Sequence, residues 1–465
     1  MIEFTKSGLH YAGVVLAGAV AILMVNLDTT VVTIILPDIG RIFGVSADTV
    51  ALINVSYLLS LTAFLPVFGK LSDRIGVERV FMPGYLLFSL CSLFCGLAPG
   101  VHSLMVARFF QGIGGAMVMA TSAVIVVKYI PFERRGSVFG INGLMAGIGF
   151  ALGAPVGGWL STMLSWRWVF FVNIPLGILG FYLCSICLTK REKSGKLDGL
   201  DYRGALLAVC SLVCLVMTLS TAQIFHSSTF KLLAGIGGLL FLVFFIRQER
   251  KAVDPMLKLS LLSDRRLSSS LLANFSYLFF LYGLTFLLPF FFKYVRGDST
   301  IETSHYLAVF PLVSMVIMPL VGRFCDRVGS KLPALIGMGS FCLAALLISF
   351  FSVDTSTVAV VATFSLLGVG MAFFGTAILA MTMTHATPES MGMISGLKAF
   401  FPIFGGLLGI TFFSSLFSHA IEAAGTAVEQ APPALVAESF SHSMNLAIMA
   451  VLLGFLFTLL AGPKK

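Results

Sequence analysis

Fourteen apolar runs, each about as long as a helix that crosses a bilayer, constrain this chain more than any other feature. A spanning helix needs about 20 mostly apolar residues. Runs of that kind lie near 12–36, 49–69, 80–98, 102–124, 136–160, 168–188, 204–222, 231–246, 268–292, 304–322, 332–351, 357–380, 392–416 and 441–461. Composition agrees, since 58% of the 465 residues are hydrophobic and only 11% are charged. A soluble domain carries about 25% charged residues, and soluble cores stop growing near about 250–300 residues. The expected fold class is an all-α polytopic membrane protein with fourteen transmembrane helices.

An even number of spans puts both termini on one side, and the basic residues choose that side. With the N-terminus inside, 23 of the 30 Lys and Arg fall in inner segments, 5 in outer segments and 2, Arg108 and Lys398, within spans. The bias predicts cytoplasmic termini. It also accounts for the net charge of +9 without a nucleic-acid partner, because the charge is spread along one membrane face. The first apolar run is too long for a cleavable signal and contains Asp28. The eight cysteines include helical pairs such as Cys91/Cys95 and Cys210/Cys214, with no histidine beside them. They read as small apolar helix residues, and no metal site is expected.

The chain repeats itself. Gly69-Lys-Leu-Ser-Asp73-Arg74-Ile-Gly76 follows the second run, and Gly322-Arg-Phe-Cys-Asp326-Arg327-Val-Gly329 follows the tenth, 253 residues later. Repeats in a transporter imply two bundles that rock about a site at their interface. This predicts an N-terminal six-helix bundle at 1–189 and a C-terminal one at 267–465. Between them, 190–266 would hold two inserted helices with the basic loops near 189–203 and 247–266. The long segment 418–440 is expected to be an outer loop, either a lid or a plain connector.

These residues resemble the major facilitator superfamily, and within it the fourteen-helix drug:proton antiporter family. The repeated G-x-x-x-D-R-x-G unit is similar to the motif between helices 2 and 3 of that superfamily. Leu27-Asp28-Thr-Thr-Val-Val-Thr-Ile-Ile-Leu-Pro37 resembles the helix 1 signature. Arg108-Phe-Phe-Gln111-Gly112-Ile-Gly114-Gly115 is similar to the helix 4 motif, and Gly153-Ala-Pro155-Val-Gly157-Gly158 to the antiporter motif of helix 5. Trp166-Arg167-Trp168 through Asn173-Ile-Pro175 also matches that branch. The helix 5 unit departs from the pattern in having Ala154 between glycine and proline. The resemblance implies alternating access driven by a proton gradient with no cofactor. Asp28 would carry the proton, and Gly69, Asp73, Arg74, Gly76, Asp326 and Arg327 would form a cytoplasmic gate.

Physical chemistry points to the same acid. An ionised Asp near a helix centre costs about 3 kcal/mol on insertion scales, so it needs a partner, water or a proton. Asp28 would lie roughly 12 Å, and Arg108 roughly 9 Å, inside the outer ends of their helices at 1.5 Å per residue. At similar depth the two can pair, either as a proton switch tuned by the arginine or as a static clamp. No second acid lies deep in a span, which favours monovalent, neutral or zwitterionic cargo over dications. Asp73 is expected in a tight turn, capping helix 3. Gly153, Pro155, Gly157 and Gly158 make helix 5 either a bendable seam or a plain close-packing stripe. Tyr57, Gln111, Asn142, Phe400 and Phe401 are candidates for a substrate cavity. Lys398 either snorkels to the interface or attracts an anion.

Two transport readings remain open from residues alone. The first is a proton-coupled exporter of amphipathic molecules in a bacterial or archaeal plasma membrane, monomeric by default. The second is an uptake transporter or symporter for an organic anion or vitamin-like solute. An enzyme or ATP-driven pump is disfavoured, because the chain contains no H-E-x-x-H, G-x-S-x-G or G-x-x-x-x-G-K-[ST] motif.

Overall fold

The computed structural model describes residues 2–188, 201–220, 227–251, 259–385, 391–426 and 428–462, and these residues form helices with no strand. In chain order they are α1 (Ile2–Phe43), α2 (Ala47–Ile75), α3 (Glu78–Gly96), α4 (Val101–Tyr129) and α5 (Phe132–Met163). Then come α6 (Trp168–Cys187), α7 (Tyr202–Leu219) and α8 (Ser228–Lys251). The last six are α9 (Arg265–Phe291), α10 (Thr300–Val328), α11 (Lys331–Ser349), α12 (Thr357–Met383), α13 (Met391–Ala423) and α14 (Pro433–Leu460).

Each apolar run falls on one helix. Thirteen of the described helices are long and apolar enough to cross a membrane. The exception is α7, whose apolar stretch Arg203–Leu219 falls in the 10–17-residue class, a little below the usual spanning length. The end of the bundle where the basic residues concentrate is termed inner.

The helix contacts repeat with the sequence. In the first half α1 packs on α5 and α6, α2 and α3 pack on α4, and α3 packs on α6. In the second half α9 packs on α13 and α14, α10 and α11 pack on α12, and α11 packs on α14. Each contact in one set has its counterpart eight helices later. The seam follows the same rule, because α2 meets α13 and α10 meets α5. Such pairing is what two parallel repeats about one axis produce. The α7–α8 pair packs on itself and touches α2 and α13 through α7, while α8 is largely unburied.

Helix ends differ from the sequence expectation, and for a common reason. Hydropathy stops at the membrane surface, but a helix does not. Gly69, Asp73 and Arg74 lie in the last turns of α2, and only Gly76, at φ 96°, ends the helix. The second copy behaves alike: Asp326 and Arg327 are helical, and Gly329 at φ 79° terminates α10. These two glycines need the left-handed φ that a side chain would resist. Asp73 is therefore not in a turn, and α3 starts from Val77 with no side-chain cap. On the outer side the expected 418–440 loop contracts, since α13 runs to Ala423 and α14 starts at Pro433. Of the two expected basic loops, residues 189–200 and 252–258 lie outside the described residues.

Candidate functional site

Close glycine contacts build the first-half site. A Cβ on Gly112 would sit 2.3 Å from the Tyr57 carbonyl, and one on Gly114 2.7 Å from the Phe88 amide nitrogen. Small residues at these points let α4 lie against α2 and α3, so one face of α4 delivers Arg108 and Gln111 to Asp28.

Arg108 Nη1 donates to Asp28 Oδ2 at 2.5 Å, and neither side chain is exposed. Asp28 Oδ1 accepts two more bonds, from Asn173 Nδ2 at 2.7 Å and Gln111 Nε2 at 3.0 Å. Arg108 Nη1 also reaches Gln111 Oε1 at 2.7 Å, and Nη2 lies 3.4 Å from Asn54 Oδ1. Gln111 in turn donates to Ser92 Oγ at 2.8 Å, and Asn54 to Thr33 Oγ1 at 3.0 Å. The guanidinium carbon sits 4.2 Å above the Tyr57 ring. Three donors converge on one carboxylate, and the network collects residues of α1, α2, α3, α4 and α6.

Part of this site escapes sequence reasoning. Asn173, Asn54 and Ser92 belong to the network, yet nothing in their spacing sets them apart from other small polar helix residues. The one available signal for Asn173 was its place in the Trp166-to-Pro175 motif. Gln111 sits in the Asp28 network rather than on the cavity wall. Tyr57 is fully buried beneath Arg108, and its hydroxyl has no hydrogen-bond partner among the described residues. Asn142 is buried facing Gly18. Phe400 stacks on Phe404, Phe401 packs with Leu267, Leu271, Ile394 and Leu397, and Lys398 is half-buried nearby on α13.

The space between the halves has other walls. A narrow cavity is lined by Thr29, Thr30, Thr33 and Ile34 of α1, Phe150 and Ala154 of α5, Tyr282 and Thr285 of α9, and Leu307 and Phe310 of α10. Above it the outer ends are joined. Lys293 Nζ lies 2.6 Å from Asp38 Oδ1, Thr300 Oγ1 donates to Asp38 Oδ2 at 3.0 Å, and the Asp48 amide donates to Ser418 Oγ at 3.0 Å. A Cβ on Gly158 would lie 2.7 Å from Ser304, so α5 and α10 also touch here. Gly153 and Gly157 press on Thr30 and Val31 of α1, and the helix runs on through Pro155. Toward the inner end the seam helices are looser. Gly69, Gly140, Gly143, Gly147 and Gly322 face open space. The outer side is closed.

At the inner ends of α9 and α12, His385 bridges two acceptors. Its Nδ1 is 3.0 Å from Asp264 Oδ2 and its Nε2 2.9 Å from the Gly462 carbonyl. Burial pushes the Asp264 carboxyl up, but the Arg266 and Leu267 amides and His385 outweigh it and hold the group below its usual range.

Two repeated six-helix halves meeting at a cavity are the architecture of a secondary transporter. The chain belongs to the Major Facilitator Superfamily, whose family model matches residues 18–410. It is 30% identical over 411 residues to Multidrug resistance protein 3 of Bacillus subtilis, covering 87% of this chain and 79% of that one. It is 24% identical to Riboflavin transporter RibZ of Clostridioides difficile, covering 86% and 87%. A solved structure of a bacterial homolog of the human lysosomal transporter Spinster, in an inward-facing and unoccupied conformation, shares the fold. It has a TM-score of 0.69 at 17% identity over 97% of both chains.

Proposed function

We propose that this transporter exports amphipathic small molecules in exchange for protons, with Asp28 as the proton carrier. The observation that carries the reading is the dry Asp28–Arg108 pair in a protein whose outer end is shut. With the outer side closed, the carboxylate is ionised and has given up its proton, and the cavity is ready for cargo from inside. Opening outward exposes the site to the more acidic side, where Asp28 takes a proton and lets Arg108 go. Arg108 then keeps Gln111, Asn54 and the Tyr57 face, so its charge is not stranded. Resemblance to multidrug resistance proteins supports the cargo class.

The test is transport into proteoliposomes under an imposed pH gradient. Wild type is expected to accumulate an amphipathic dye uphill, and Asp28→Asn to exchange it only downhill. Unchanged uphill transport in Asp28→Asn contradicts the reading. The second reading, import of a vitamin-like solute, draws on the likeness to a riboflavin transporter. Proton flux separates the two, because export by exchange and import by symport move protons in opposite senses relative to cargo.

A further inference from the structure

We infer that the cavity between the halves selects uncharged aromatic amphiphiles that carry hydroxyl or amide groups, and that Tyr282 and Thr285 set this preference. The inference rests on the transport reading above and narrows its cargo.

The wall has polar atoms but no charge. None of its ten residues is ionised at neutral pH. The three α1 threonines spend their hydroxyl hydrogens on their own helix: Thr29 donates to the Val25 carbonyl at 2.9 Å, Thr33 to that of Thr29 at 2.8 Å, and Thr30 to that of Asn26 at 3.2 Å. Thr285 does the same toward Tyr282, at 3.1 Å. What these hydroxyls offer a ligand is acceptor capacity, which suits O–H and amide N–H groups. Tyr282 supplies the donor, as the wall residue that carries a phenolic hydroxyl. Gly406 is what lets that ring approach α13 closely, since a Cβ there would come within 2.0 Å of it. Phe150 and Phe310, 6.0 Å apart and edge to face across the seam, provide the aromatic floor.

A charged ligand finds no counterpart. Both oxygens of Asp28, beside Thr29 of the wall, are taken by Arg108, Gln111 and Asn173, and its charge is balanced within the first half, while Asp38 is held by Lys293. Arg108, the corresponding partner for an anion, is unexposed and covered by Tyr57. An ion entering the cavity loses water and gains no opposite charge, which is unfavourable.

Three dyes on one fluorophore test this: dansylethanolamine (uncharged), dansylcholine (cationic) and dansylglycine (anionic), titrated against the purified full-length protein. The expected result is binding of dansylethanolamine at least about tenfold tighter than of either ion. Tyr282→Phe and Thr285→Val, which keep ring and shape, should each weaken it by about three- to tenfold, the worth of one hydrogen bond. Equal or tighter binding of either charged dye, no effect of the two substitutions in a monodisperse sample, or binding of none of the three overturns the inference. Proton-coupled movement of dansylcholine in proteoliposomes would overturn it too, while leaving the transport reading intact.

Discussion

Arg108 holds Asp28 at 2.5 Å in a place that neither shares with water. A buried pair of this kind contributes little net stability, because desolvation offsets attraction, but removing one partner strands the other. Arg108→Ala is therefore expected to destabilise the protein by about 3–5 kcal/mol. The double variant Asp28→Asn/Arg108→Gln, with no charge to strand, should recover much of that loss. Thermal unfolding in detergent measures both.

The outer closure is a second pair with a different character. Asp38 and Lys293 are a partly buried pair, with 19% and 20% exposure, whose attraction is offset by desolvation. Their effect is on conformation, because they join the two halves. Asp38→Asn is expected to raise the outer-open population, seen as a longer distance between spin labels on the outer ends of α1 and α9. Lys293→Met should do the same, and the double variant should be no more open than either single one.

Helix 5 offers a paired test of glycine. A Cβ on Gly157 would sit 2.7 Å from the Val31 carbonyl, so Gly157→Ala should cost about 1–3 kcal/mol through forced separation from α1. Gly147 meets nothing within 4 Å, and Gly147→Ala should leave stability unchanged or raise it by up to about 1 kcal/mol. A loss of transport in Gly147→Ala without a loss of stability would mark that stripe as one that closes when the outer end opens.

Most of the architecture was legible because bilayers impose a length on apolar runs, and the Asp28–Arg108 pair because ionisable groups deep in spans are so few. Asp73 was expected in a turn and lies in a helix instead, since Gly69 to Ile75 continue as a polar helix past the apolar run. Tyr57 reads as a cavity residue from sequence because a polar group in a span wants a partner. Its ring instead serves the arginine, a fact set by how α4 crosses α2 at Gly112. Crossing geometry of this kind has no one-dimensional signature, and Asn173 and Asn54 were missed for the same reason.

Acid should reach the inner staple as well. The folded protein holds the Asp264 carboxyl below its ordinary range. Its contribution is then present above the unfolded value of about 3.9 and fades as pH falls through the lower folded one. Asp264→Asn keeps a good helix cap and loses only the charge toward His385. The variant should be less stable than wild type near neutrality, with the gap closing below about pH 4 in thermal melts.

The central claim concerns one proton, and infrared difference spectroscopy of the Asp28 carboxyl reads it directly, with Asp28→Asn to assign the band. In protein locked with its outer end shut, the account predicts an ionised carboxylate at neutral pH. In protein locked outer-open and bathed in acid, it predicts a protonated carboxyl. A carboxyl that keeps the same ionisation in both states would contradict it.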